Sequence, residues 1–346
     1  MSLLDMVKGR LSLPVICSPM FIISVPDLVV AQCTSGVIGA MPSLNARPAE
    51  QFEEWVAEIK ERLAAHDARH PDRPAAPFAI NLIVHKSNDR LEHDLRVVVK
   101  HKVPLVITSL GARPEVNHAV HAYGGYVLHD VTNQRFAHSA IDKGADGLVL
   151  VAAGAGGHAG ALSPFGFLRE TREWFDGPIA LSGAIAHGRS ILAAEAMGAD
   201  FAYAGSAFIA THEARATDEY KNMVVERGAE DIVYTNLITG VHGNYLKPSG
   251  AGGPRSGQPA DQRSQPNELR LGPHEALEGH LGRRPRDRRA EGGAAGGGTG
   301  SAVQAGVPRC TDAAWHGLRP AELRLGDDDR MRVMPVVASA SPQRSP

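Results

Sequence analysis

Cysteine is nearly absent: Cys17, Cys33 and Cys310 are the three in 346 residues. An odd number with no metal-ligand spacing supports neither a disulfide framework nor a zinc motif. Net charge is nearly absent too, since 36 Lys and Arg against 38 Asp and Glu leave −2, which gives no electrostatic footprint for nucleic acid or an anionic membrane. No run reaches the roughly 18 apolar residues of a spanning helix, and the opening MSLLDMVKGR lacks the apolar core of a secretory signal. The expectation is a soluble cytoplasmic protein without metal, nucleic-acid or membrane partners. Oligomeric state is left open.

What is present is a large apolar fraction, 43% hydrophobic against 21% charged, enough to bury an enzyme-sized core as one α/β barrel or two smaller domains. Eight short β-rich runs recur: LPVICSPM (13–20), GVIGAM (36–41), PFAINLIV (77–84), LVITSL (105–110), YVLHDV (126–131), GLVLVAA (147–153), IALSGA (179–184) and FAYAGSAFI (201–209). Stretches of helical period separate them, clearest at 50–66, 90–101 and 187–199. Apolar strands alternating with helices mean a parallel sheet covered on its faces. Eight such units in roughly 200 residues predict a closed (β/α)8 barrel, the TIM-barrel class, rather than an open doubly wound sheet.

The helix-to-strand junctions KGADGLVL and MGADFAYA belong to the N-terminal face of such a barrel, where they serve folding. Chemistry belongs at the C-terminal ends of the strands. Those ends offer Ser18-Pro19-Met20, Asn81, Ser109, His129-Asp130, the loop from Gly154 to His158, Ser182-Gly183-Ala184 and Gly205-Ser206. The last two pairs end adjacent strands in small residues that let an anion approach backbone N–H groups, so they form a candidate phosphate site.

His158 is the candidate catalyst. An imidazole titrating near neutrality can accept a proton from carbon or stabilise a developing anion, and glycines beside it let other groups approach. The bland alternative is a histidine that caps the loop. His85, His93, His101, His118, His121 and His138 lie away from strand ends and read as solvated surface residues, and Trp55 as core packing of its helix with Phe52 and Ile59. Tyr234, His242 and Tyr245 follow the eighth run and are candidates for a substrate pocket.

SPM at the first strand end, NL at the third, AGAGGHAG at the sixth, SGAIAHG at the seventh and AGSAF at the eighth together resemble the nitronate monooxygenase family, also called 2-nitropropane dioxygenases. The resemblance runs from about Pro14 to Ser249. It implies a flavin-dependent TIM barrel that binds FMN and uses O2 to oxidise alkyl nitronates to a carbonyl compound and nitrite. On this resemblance Ser18, Pro19 and Met20 would pack against the isoalloxazine, Asn81 would bond its edge, and Gly156 and Gly157 would line it. Ser182, Gly183 and Ala184 would take the phosphate with Gly205 and Ser206. At the fifth strand many relatives carry a lysine toward the flavin pyrimidine, where this chain has His129-Asp130; His129 is taken as the cofactor-facing residue. An NAD(P)H-dependent FMN reductase of quinones or enoyl thioesters on the same barrel is the alternative, as is a flavin-binding barrel without turnover.

The barrel is assigned to residues 1–249. From 250 to 346 there is no Lys, Ile, Phe or Tyr, while Arg, Gly, Pro and Ala dominate. Such a composition cannot offset its chain entropy and predicts a disordered tail. The abruptness of the change suggests out-of-frame translation of a GC-rich gene, which would leave the barrel without its closing helix. The basic run at 283–289 lacks the interleaved aromatics of a nucleic-acid site.

Overall fold

The computed structural model describes residues 2–238 and 240–247. Eight parallel strands form one sheet: β1 (Val15–Cys17), β2 (Gly39–Pro42), β3 (Phe78–Ile83), β4 (Leu105–Ser109), β5 (Tyr126–Val131), β6 (Gly147–Val151), β7 (Ile179–Ser182) and β8 (Phe201–Ala204). Their order is β1-β8-β7-β6-β5-β4-β3-β2. The two ends of that order meet, because Ile16 bridges Ile38 in parallel; Cys17 N–H donates to Ile38 O at 2.8 Å and Ile38 N–H to Val15 O at 2.9 Å. The sheet is therefore a barrel, and each of the eight β-rich runs supplies one strand. The eighth run extends past its strand: the strand ends at Ala204, and beyond Gly205 the chain turns into a short helix.

The helices are α1 (Leu3–Val7), α2 (Pro26–Thr34), α3 (Gln51–Arg69), α4 (Leu91–His101), α5 (Pro114–His121), α6 (Gln134–Asp142), α7 (Pro164–Arg172), α8 (Gly188–Ala196), α9 (Ser206–Ile209) and α10 (Asp218–Glu226). Those predicted at 50–66, 90–101 and 187–199 correspond to α3, α4 and α8. No helix among the described residues is long and apolar enough to cross a membrane.

Strand periodicity of two sorts the side chains. Ile16, Ile38, Ala40, Ala79, Leu105, Ile107, Leu128, Val149, Ala180, Phe201 and Tyr203 fill the barrel interior. Their strand neighbours, such as Val106, Val127, Leu148, Leu150 and Leu181, pack outward against the helices. Leu3 and Val7 of α1 join the interior cluster with Leu105 and Phe201, the first residues of their strands. The N-terminal helix thus plugs the bottom of the barrel, a role its short sequence does not announce.

The two Gly-Ala-Asp junctions tie neighbouring strands at that same end. Asp146 accepts from Val127 N–H at 2.7 Å, and its own N–H donates to Val127 O at 2.8 Å. Asp200 repeats the exchange with Ile179, at 2.8 and 2.9 Å, and also pairs with Arg172. Each carboxylate satisfies an N–H at the start of the adjacent strand, that of Val127, second in β5, and of Ile179, first in β7.

After α10 the chain forms an antiparallel hairpin of β9 (Ile232–Thr235) and β10 (Gly243–Leu246), with Ile232 opposite Leu246 and Thr235 opposite Gly243. The boundary at Ser249, the tail at 250–346 with its basic run, and Cys310 lie outside the described residues.

Candidate active site

Six interior-facing residues at the C-terminal strand ends are polar, in contrast to the apolar layers beneath. They are Ser18, Asn81, Ser109, Asp130, Ser182 and Tyr203. Asn81 Nδ2 donates to Ile107 O at 3.0 Å and to Ser109 Oγ at 2.7 Å. Both amide hydrogens are thereby used, and the amide oxygen is what Asn81 can offer a ligand. Ser109 Oγ in turn donates to Asp130 Oδ2 at 2.5 Å. Burial pushes the Asp130 carboxyl up to about 6, against the opposing effect of Ser109's hydrogen bond. Tyr203 is linked to the Ser18 side chain by a hydrogen bond, and burial together with the nearby Asp130 holds its phenol well above the usual tyrosine range.

The loops above this layer are fixed by named contacts. Asn45, buried at the end of β2, bonds the loop after β1: its Nδ2 donates to Met20 O (2.9 Å) and Ser24 O (2.8 Å), and its Oδ1 accepts from Ile22 N–H (2.8 Å). That contact secures Ile22 at φ +69°, a left-handed conformation costly for a β-branched residue. Arg215, beyond α9, adds a bond to Ile22 O at 2.8 Å. Ser18 N–H donates to Ala204 O at 2.8 Å, drawing the first and eighth strand ends together. Gly205 sits at their junction: a Cβ there would lie 3.1 Å from Ser18 Cβ and 3.6 Å from Met20 Sδ, so any side chain would crowd this corner.

The sixth and seventh loops are locked to each other. Ala184 N–H donates to Gly154 O at 3.0 Å, with Ala184 at φ +53° and Gly183 at φ +139°. The Ala184 N–H is thus engaged within the protein. A Cβ on Gly183 would meet Ala153 O at 2.7 Å, so glycine is required at that position by the backbone itself. Gly156 faces Ser206, whose Oγ would lie 3.6 Å from a Cβ at that position. The small-residue ends of the sixth, seventh and eighth strands accordingly form one continuous rim, and Gly154, Gly156 and Ser206 are exposed on it.

His158 and Gly157 form a two-residue extended segment at the edge of this rim. The hairpin packs on it: Gly156 bridges Asn244, Asn244 Nδ2 donates to Ala155 O at 2.8 Å, and Ala159 N–H donates to His242 O at 3.2 Å. Tyr234 Oη donates to Ala159 O at 3.4 Å and its ring stacks on His242 with centroids 5.3 Å apart. Tyr245 Oη lies beside Gly243, 3.0 Å from where a Cβ would stand. Tyr234, His242 and Tyr245 are therefore carried by one hairpin laid against the His158 loop. His158 remains exposed at the rim, yet desolvation by the surrounding protein lowers its pKa from the ordinary histidine value and so favours the neutral imidazole.

His129 is not among the residues brought together. Because Leu128 packs inward and Val127 and Val131 outward, His129 leaves β5 on the helix side, with Nδ1 2.6 Å from Thr108 Oγ1. Burial depresses its pKa to about 4. The inward residue of the pair is Asp130. Among the solvated histidines, His93, His101 and His121 prove to be paired with Asp94, Glu53 and Asp146.

Asn45, Asp130 and Tyr203 were not assigned roles from sequence. Asp130 could have been found by strict alternation along YVLHDV, which puts Asp130 with Leu128 and His129 with Val127. Asn45 lies past a strand end with no motif around it. The described residues contain no group of three or more His, Cys, Asp and Glu able to hold a metal ion.

The sequence model of a family described as nitronate monooxygenase matches residues 5–246. Among curated relatives, a (3aS,4S,5R,7aS)-5-hydroxy-7a-methyl-1-oxo-octahydro-1H-indene-4-carboxyl-CoA dehydrogenase from Rhodococcus jostii is 23% identical over 66% of this chain and 61% of its own length. A nitronate monooxygenase from Paraburkholderia phytofirmans is 25% identical over 66% of this chain and 71% of its own. The solved structure of FabK from Thermotoga maritima superposes with a TM-score of 0.63 at 23% identity, over 72% of this chain and 75% of that one, a likeness of fold.

Proposed function

The chain belongs to the nitronate monooxygenase family, and from that premise we propose that it is a flavin-dependent oxidoreductase of the cytoplasm that oxidises alkyl nitronates with O2 to a carbonyl compound and nitrite. What supports this reading is that His158 lies on the exposed glycine rim after the sixth strand of a barrel whose inward strand ends include Ser18, Asn81, Ser109 and Ser182.

The residues present fit FMN. Gly205 keeps open the corner between the first and eighth strand ends, and Gly156 the approach to Ser206. The Asn81 oxygen is free to accept from an N–H on a ring edge, since both amide hydrogens are already used. Ser18, Pro19 and Met20 would form one wall, Gly156 and Gly157 another. Ser182, Gly183, Gly205 and Ser206 would hold the phosphate; Ala184 would contribute shape rather than its N–H. When bound, FMN would supply the electron transfer between substrate and oxygen.

The protein's own share is positioning and proton handling. A neutral imidazole donates a hydrogen bond to an oxygen of the nitronate, and would accept the carbon-bound proton only where a neutral nitroalkane binds. Tyr234, His242 and Tyr245, on the hairpin that abuts His158, would bound the substrate on the outer side.

A second reading, oxidation or reduction of a coenzyme A thioester, draws on the name of the Rhodococcus relative. Oxygen uptake separates the two. Purified protein given an alkyl nitronate in air should consume O2 and release nitrite, and absence of both would argue against the nitronate reading.

A further inference from the structure

We infer that Asp130 is the proton-accepting partner of anion binding at the barrel mouth: when an anionic ligand settles above the polar strand ends, Asp130 takes up one proton from solvent. The inference rests on the proposed use of this mouth for a nitronate anion, and names the group that makes the anion tolerable.

The geometry is as follows. Asp130 closes β5 on its inward side, and its two oxygens differ. Oδ2 accepts from Ser109, which is itself bonded by Asn81. Oδ1 is buried and has no hydrogen-bond partner. The groups around it from every packed strand are neutral: Asn81 on β3, Ser109 on β4, Val149 and Val151 on β6, Ser182 on β7, Tyr203 on β8 and Ser18 beyond β1. Tyr203 keeps its phenolic proton at any ordinary pH. The other titratable groups nearby are His129, directed to the opposite side of β5, and His158 on the outer rim. None of these strand ends supplies an arginine or lysine to offset a second negative charge.

A carboxylate in such surroundings and an anion above it would repel each other strongly in low dielectric. Two like charges sharing a site resolve this when one of them protonates. A proton on Oδ1 gives Asp130 a donor and removes the repulsion, while Oδ2 retains its bond from Ser109. The balance is one ligand anion and one proton bound together, with no covalent change. Because the free carboxyl titrates at about 6, the proton must be drawn from solvent at neutral and higher pH, and the linkage falls in a measurable range.

The test uses the flavin-loaded full chain and nitrate, a planar anion that stays fully ionised, titrated by its perturbation of the flavin visible spectrum between pH 5.5 and 8.5. Wild-type affinity should fall by up to about tenfold per pH unit above pH 6. Asp130→Asn should bind nitrate more tightly than wild type at pH 8, with the slope gone. His158→Asn should keep the slope, which excludes the imidazole as its source. A slope that survives in Asp130→Asn, or disappears in His158→Asn, overturns the inference while leaving the anion site standing. If nitrate perturbs neither protein at any pH, the anion-binding reading of the mouth fails and the inference with it.

Discussion

His129 and Asp130, adjacent on β5, project to opposite sides of the strand: the imidazole reaches Thr108 under the helices at 2.6 Å, and the carboxyl reaches Ser109 inside the barrel at 2.5 Å. Burial shifts both, in senses that favour the neutral form of each. Their effects on stability therefore run in opposite directions with pH.

His129 is neutral in the folded state down to about pH 4, whereas an unfolded histidine titrates near 6.5. Its contribution is fully present above 6.5 and is lost as pH falls toward 4, on the order of 3 kcal/mol. Replacing it with leucine, His129→Leu, should flatten the acid limb of a urea-denaturation series over pH 6.5 to 4 and leave flavin content unchanged. Flavin loss with stability intact would show that His129 meets the cofactor after all.

For Asp130 the folded carboxyl lies above its unfolded value of 3.8. The folded state resists ionisation, so stability is lost as pH rises from about 4 to about 6 and stays reduced above it. Asp130→Asn should gain roughly 1–3 kcal/mol over wild type at pH 8, shrinking to little at pH 4. Chemical denaturation at the two pH values reads the difference, and an equal effect at both would mean that the carboxyl is not the source.

Asn45 bonds three backbone groups of the loop after β1. Asn45→Ala removes them all and should cost about 2–4 kcal/mol, concentrated in that loop. Amide exchange at Ile22 should accelerate, and FMN affinity should drop because Ser18, Pro19 and Met20 lose their anchor. Unchanged exchange at Ile22 would mean that Arg215 alone holds the loop.

Desolvation lowers the pKa of His158 and favours its neutral form. The pH profile of kcat should therefore rise to a plateau with an inflection below 6.5, and His158→Asn should lower kcat by about 10² or more and erase that inflection. Retention of flavin in the variant separates proton transfer from folding. Wild-type turnover in the variant would reduce His158 to a loop residue.

The barrel is legible because its strands are short apolar runs at regular spacing, and the sequence places His158 in the glycine loop at a strand end. Orientation was harder to read. On β5 the pair His129-Asp130 has one residue on each face, and the motif argument favoured the histidine where alternation from Leu128 gives the aspartate. The lock between Ala184 and Gly154, the contacts of Asn45, and the hairpin laid on the His158 loop depend on residues 21 to 89 positions apart, and no local pattern encodes such pairings. The Gly-Ala-Asp junctions were readable as fold elements, although the bond from each aspartate to a neighbouring strand was not.

Under the proposed function a nitronate, and not a nicotinamide, delivers electrons at this barrel mouth. Anaerobic mixing of the purified, flavin-loaded full chain with an alkyl nitronate, followed at the flavin's visible absorbance, tests it directly beside a parallel trace with NADH. Rapid bleaching by the nitronate and none by NADH is the expected result. Rapid bleaching by NADH with no response to the nitronate would contradict it.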